Sequence, residues 1–135
     1  MPIVVVHELA HLRAALEAAE EAGVEVTLQG RFLPMGAMVF RAMVEEAAAR
    51  VPGARFRAIL DCGGDPGYAL NALRHGLKAV RLEAPPELRD RVSDIATQLG
   101  AALADDKGPT LDLLDHPDPQ AACRALLTDS RNEAV

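Results

Sequence analysis

Short apolar runs alternate with amphipathic stretches along this chain, and that alternation limits the available folds more than any other feature. Ile3-Val4-Val5-Val6 has no polar residue, as expected of a strand buried on both faces of a parallel sheet. Residues 8–22 then place Leu9, Leu12, Leu16 and Ala19 on one helical stripe that stops at Gly23. Residues 24–29 alternate, with Val24, Val26 and Leu28 against Glu25, Thr27 and Gln29, which predicts a half-buried strand at a sheet edge. A loop over 30–36 leads to a second helix marked by Val39, Phe40, Met43, Val44, Ala47 and Val51 and closed by Pro52-Gly53. A third strand is expected from Phe56 to Cys62.

The alternation continues. Asp65-Pro66 fits a helix N-cap followed by the first helical position, and Leu70, Leu73 and Leu77 mark that helix. Residues 78–83 alternate as a strand, and Pro85-Pro86 opens a helix carrying Leu88, Val92, Ile95 and Leu99. Residues 101–104 offer a fifth short strand. Leu111, Leu113 and Leu114 are expected to dock on the body, and Asp118-Pro119 to start a last helix through Leu127. Such a β-α succession implies parallel strands joined by right-handed crossovers.

The expected fold class is therefore α/β: a three-layer, flavodoxin-like parallel sheet of about five strands in the order 2-1-3-4-5. A half-barrel of sequential βα units is the alternative. It would leave the apolar first strand on an edge unless a partner covered it. Residues 1–128 are expected to form a single α/β domain and 129–135 a flexible tail.

Half of the residues are hydrophobic but only 3 % are aromatic, so the core must be aliphatic. The net charge of −6 and the lack of a basic run argue against nucleic acid and against an anionic membrane surface. Cys62 and Cys123 form no disulfide-scaffold pattern. No signal-peptide pattern and no apolar run of membrane-spanning length is present, so a reducing cytoplasm is expected. Met35, Ala37, Met38, Ala42 and Ala49 exceed what one inward helical stripe requires, and they predict a symmetric homodimer with the second helix or the Phe32-to-Met38 loop in the contact.

His7-Glu8-Leu9-Ala10-His11 has the His-Glu-x-x-His spacing of zinc metalloproteases. At ~100° per residue, His7 and His11 each lie about 200° from Leu9, on the face opposite the buried stripe. They are thus expected in solvent, and no metal site is expected there. A second constellation is Asp61-Cys62-Gly63-Gly64-Asp65 after the third strand. In the 2-1-3-4-5 order this loop meets the His7-Glu8 loop at a crevice beyond the strand ends. The ligand-binding candidates are accordingly His7, Glu8, Asp61, Cys62, Gly63, Gly64 and Asp65, with Arg31 as a cation able to offset the carboxylates for a small anionic ligand. Glycines allow close backbone approach, but they also make tight turns. Cys62 is a potential nucleophile at a helix N-terminus, but its neighbours Asp61 and Asp65 oppose the thiolate.

The stretch LDCGGDPGYALNALRHGLKAVRLE, residues 60–83, resembles a family of small uncharacterised bacterial α/β proteins. AGVEVTL at 22–28 with VPGA at 51–54 resembles the front part of keto-deoxy-phosphogluconate-type aldolases. That likeness implies an acid/base role for Glu25. It offers Lys78 and Lys107 as poor matches to the family's Schiff-base lysine. The layout is also similar to response-regulator receivers, which implies a phosphoacceptor position for Asp61 and a lysine position for Lys107. His7-Glu8 and Glu83-Ala84 depart from the receiver pattern. The sequence names no cofactor and no catalytic set. It favours a non-catalytic interaction or regulatory domain with a protein partner, against a small-molecule-binding domain or enzyme using the crevice.

Overall fold

The computed structural model describes residues 1–133. Its elements are β1 (Ile3–Val5), α1 (Leu9–Ala22), β2 (Val26–Arg31), α2 (Phe32–Met35), α3 (Ala37–Arg50), β3 (Phe56–Asp61), α4 (Pro66–Arg74), β4 (Ala79–Arg81), α5 (Pro86–Gln98), β5 (Ala102–Leu103), β6 (Thr110–Asp112) and α6 (Pro119–Glu133). The chain is an α/β protein with a parallel sheet. β1 runs parallel to β2 and to β6, and β4 runs parallel to β3 and to β5.

The strand order is β5-β4-β3-β2-β1-β6, which corrects the expected 2-1-3-4-5. β1 to β5 follow one another as in the sequential alternative. The inference that an all-apolar β1 needs a neighbour on each side holds, but that second neighbour is β6 rather than β3. Ile3 pairs with Thr27 on one side and with Thr110 on the other. β2 is not an edge strand either. The Val26 N–H donates to Arg55 O at 3.2 Å as β3 approaches, and Val26, Thr27 and Leu28 are all buried. Its alternating pattern separates two faces of an interior strand.

β6 was not foreseen. Leu111 is the one apolar residue in its three positions, too few to show a period. α6 also extends beyond the expected Leu127, to Glu133, so residues 129–133 are helical. Residues 134–135 of the expected tail lie outside the described ones. Among the described residues no helix is long and apolar enough to cross a membrane.

Two compact units divide the chain. The first holds Met1–Gln29, Ala42–Arg57 and the residues from Asp106 onward. Its core contains Val4, Val6, Leu12, Leu16, Val26, Leu28, Leu113 and Leu127, all fully buried. Each such side chain stabilises by about 1.5–3 kcal/mol relative to exposure. α6 packs along α1, and the buried Ala14, Ala15 and Ala18 give α1 small side chains that permit close approach. Gly23 ends α1 in the left-handed conformation its position requires, with φ 67°.

The second unit holds Gly30–Arg41 and Ala58–Asp105. Phe40, Leu60, Ala69, Ala72, Val80 and Ala96 are fully buried there. Ile59, Ala79 and Ala104 form a separate buried cluster. Leu60 pairs with Val80, and Val80 in turn with Leu103. α4 and α5 are packed together over this part of the sheet.

Candidate functional site

The loop after β3 is built by its own polar groups. Asp61 ends the strand, and its Oδ1 accepts the Gly63 N–H at 3.0 Å. Gly63 takes φ 57°, where a side chain is strained. Asp65 then caps α4: its Oδ1 accepts the Gly67 N–H at 2.8 Å and the Tyr68 N–H at 3.2 Å, and Pro66 occupies the first turn. The loop is tied to β4 by Cys62 N–H to Arg81 O and Glu83 N–H to Gly63 O, both at 2.8 Å. A Cβ on Gly64 would lie 3.2 Å from Glu83 O, so glycine suits that close approach.

This loop and the end of β2 enclose a cleft of about 340 Å³. Asp61, Cys62, Gly63, Gly64 and Asp65 line it from one side of the chain, and Arg31, Phe32, Leu33 and Tyr68 complete it. The sequence-derived candidates Arg31, Asp61, Cys62, Gly63, Gly64 and Asp65 are therefore brought together. Phe32, expected at a dimer contact rather than here, and Tyr68 stack face to face with centroids 4.2 Å apart and planes 8° apart. Such a pair adds about 0.5–1.5 kcal/mol beyond its buried area.

The setting of Cys62 disfavours its thiolate. It is buried, with Sγ 3.6 Å from Leu60 O. Burial first, then Asp61 and Asp65, push its pKa up to about 12. Cys123 is buried as well, and burial alone pushes it up to about 11.

His7 and Glu8 lie in the other unit, at the junction of β1 and α1. In the expected strand order β1 adjoined β3; in the observed order β2 stands between them. His7 is not helical, since α1 begins at Leu9. Its Nε2 lies 2.6 Å from Asp112 Oδ1, at the end of β6. The same Oδ1 accepts the Leu114 N–H at 2.9 Å. The His7 backbone N–H donates to Nδ1 of His11 at 3.0 Å, and the two rings meet edge to face with centroids 5.9 Å apart.

The expectation that His11 faces solvent is overturned: it is 7 % exposed. More than one stripe of α1 is buried, because burial extends to Ala14 and Ala18 beside α6. Burial lowers the His11 pKa, His7 lowers it further, and Glu8 and Asp112 oppose. Among the described residues no group of three or more His, Cys, Asp or Glu side chains is placed to hold a metal ion.

The aldolase and receiver likenesses fare differently in detail. Glu25 precedes β2, at the strand's N-terminal end, away from the C-terminal ends where sites of such sheets form. Lys78 also stands before its strand and reaches Leu99 O at 3.5 Å. Lys107 is exposed between β5 and β6.

No protein-family model matches the chain, and neither does any curated protein. Among solved structures the chain is similar to one from Coccidioides immitis described as a putative fructose-1,6-biphosphate aldolase, with a TM-score of 0.62 and 18 % identity. The match covers 76 % of this chain and 44 % of that one, so the chain spans less than half of that protein's length. At this identity the likeness speaks for the fold.

Proposed function

We propose that the chain is a small-molecule-binding α/β domain whose ligand lies in the cleft where β2 and β3 end. The observation that carries this reading is the meeting of two sequence-distant loops around one space, with a stacked aromatic pair in its wall. Its size is within the ~300–1,000 Å³ common for ligand sites, and it stands at the carboxyl ends of parallel strands. Asp61 and Asp65 each engage backbone amides through Oδ1, and Arg31 is the one cation among the lining residues. An anionic ligand would turn its charge toward Arg31, and hydroxyl or amine groups toward the carboxylates. The aldolase likeness supports the fold of this domain; the reading takes no reaction from it.

The test is a ligand-observed NMR screen of small metabolites, repeated on Tyr68→Ala. Hits that bind the wild type and weaken by roughly tenfold in Tyr68→Ala support the cleft, as expected for a lost stacking surface worth about 1 kcal/mol or more. Hits indifferent to Tyr68→Ala and to Asp61→Asn would remove it.

A second reading, an interaction module that self-associates, is favoured by one observation. Leu33, Met38 and Val39 are 61 %, 68 % and 53 % exposed around the start of α3. A cluster of exposed aliphatic side chains suits a protein contact. Light scattering on the wild type and Met38→Glu checks it: a dimer that the charge converts to a monomer supports the reading, and a wild-type monomer at micromolar concentration ends it.

A further inference from the structure

The first unit carries an imidazole whose two nitrogens have different surroundings. His7 Nε2 is 2.6 Å from the Asp112 carboxylate, which can only accept, so the proton of the neutral ring sits on Nε2. Asp112 is itself oriented by the Leu114 N–H on the same oxygen. His7 is held from behind through its backbone N–H, which donates to His11 Nδ1. The His7 side chain is 19 % exposed, and its Nδ1 has no hydrogen-bond partner among the described residues. Asp112 follows Leu111 in β6 and pairs with Val5 of β1, so the two side chains meet where two parallel strands end.

We propose that His7 Nδ1 is a general-base site, oriented by Asp112, for a small uncharged compound bearing a hydroxyl or a carbonyl-activated C–H. In the step, Nδ1 takes the proton of that O–H or C–H as its bond breaks, and the electron pair stays on the ligand oxygen or carbon. The resulting imidazolium keeps its Nε2–H on Asp112, which offsets the new positive charge. The proton later returns to the product or leaves to water. Asp112 places a carboxylate beside this ring, so an anionic compound is disfavoured. This site is independent of the cleft lined by Asp61 and Tyr68, and either can fail without the other.

Two measurements test it without knowledge of the substrate. Long-range proton–nitrogen NMR of the neutral His7 ring should show Nδ1 bare and Nε2 protonated; a neutral ring with its proton on Nδ1 would overturn the proposal. Diethyl pyrocarbonate then reports nucleophilicity. Nδ1 attacks one carbonyl and ethyl carbonate leaves; the Nε2 proton is lost by way of Asp112 and water and is taken up as the ethyl carbonate decays to ethanol and carbon dioxide. Peptide mass analysis at pH 7 should show His7 modified faster than the exposed His116, and Asp112→Asn should slow His7 by roughly tenfold while leaving His116 unchanged. His7 reacting more slowly than His116 in the wild type, or at an unaltered rate in a folded Asp112→Asn, would reject the base.

Discussion

The backbone N–H of His7 donates to Nδ1 of His11 at 3.0 Å, a bond that exists while that nitrogen is bare. Protonating His11 removes the acceptor and places a charge in a site that is 7 % exposed. Burial already holds the His11 pKa below its ordinary value of 6.5, so the unfolded chain binds this proton at higher pH than the folded one. The His11 contribution to stability is then fully present above that value and is lost as pH falls through the lowered one. Thermal unfolding should show a melting temperature that falls on the acid side of about pH 6.5, with a shallower fall in His11→Gln. Equal slopes in the two proteins would assign the acid sensitivity elsewhere.

Gly30 faces the Phe40 ring. A Cβ there would lie 2.5 Å from one ring carbon and 2.7 Å from another, and Phe40 is fully buried. Gly30→Ala is expected to destabilise by about 1–3 kcal/mol through overpacking. Phe40→Leu alone should also destabilise, while the double substitution should recover part of the sum. Urea unfolding of the four proteins in this cycle measures the coupling, and strict additivity would show that the ring moves aside freely.

Asp65 offers a way to separate stability from binding. Its Oδ1 accepts two amides at the start of α4. Asp65→Ala should lose about 1 kcal/mol, and Asp65→Asn should retain most of the cap. A ligand that depends on the carboxylate charge should nonetheless weaken in Asp65→Asn. Chemical denaturation and ligand titration on both variants give the two readouts.

Neither thiol should report on the folded protein. With Cys62 raised to about 12 and Cys123 to about 11, Ellman's reagent at about pH 8 should find almost no reactive thiol until denaturant is added. Rapid labelling of Cys62 in the native state would mean that the loop after β3 opens far more readily than its bonds to β4 suggest.

Much of this architecture was legible in the residues. The β1, β3 and β4 segments, the Gly23 stop and the Asp65 cap follow from local pattern and local hydrogen bonding, which a sequence records directly. Strand order did not follow, because an apolar β1 demands two neighbours without stating which. The missing neighbour, Thr110-Leu111-Asp112, carries too little period to announce itself. With it went Asp112, the partner of His7, since a carboxylate 105 positions away leaves no mark near the histidine. The β3 loop stood out in the sequence because glycines, a cap and a strand-end carboxylate lie in one contiguous stretch. Phe32 and Tyr68 were missed because their stacking joins separate segments.

The pairing of β1 with β6 also bears on how the protein is made. Chain emerges from the ribosome N-terminus first, so one side of β1 has no strand beside it until residues 110–112 have been synthesised. An all-apolar strand with open hydrogen-bonding groups is a template for another chain, and β1 stays one on that side until β6 appears. A stop between β5 and β6 would release a product whose apolar β1 lacks its β6 partner and keeps an open edge.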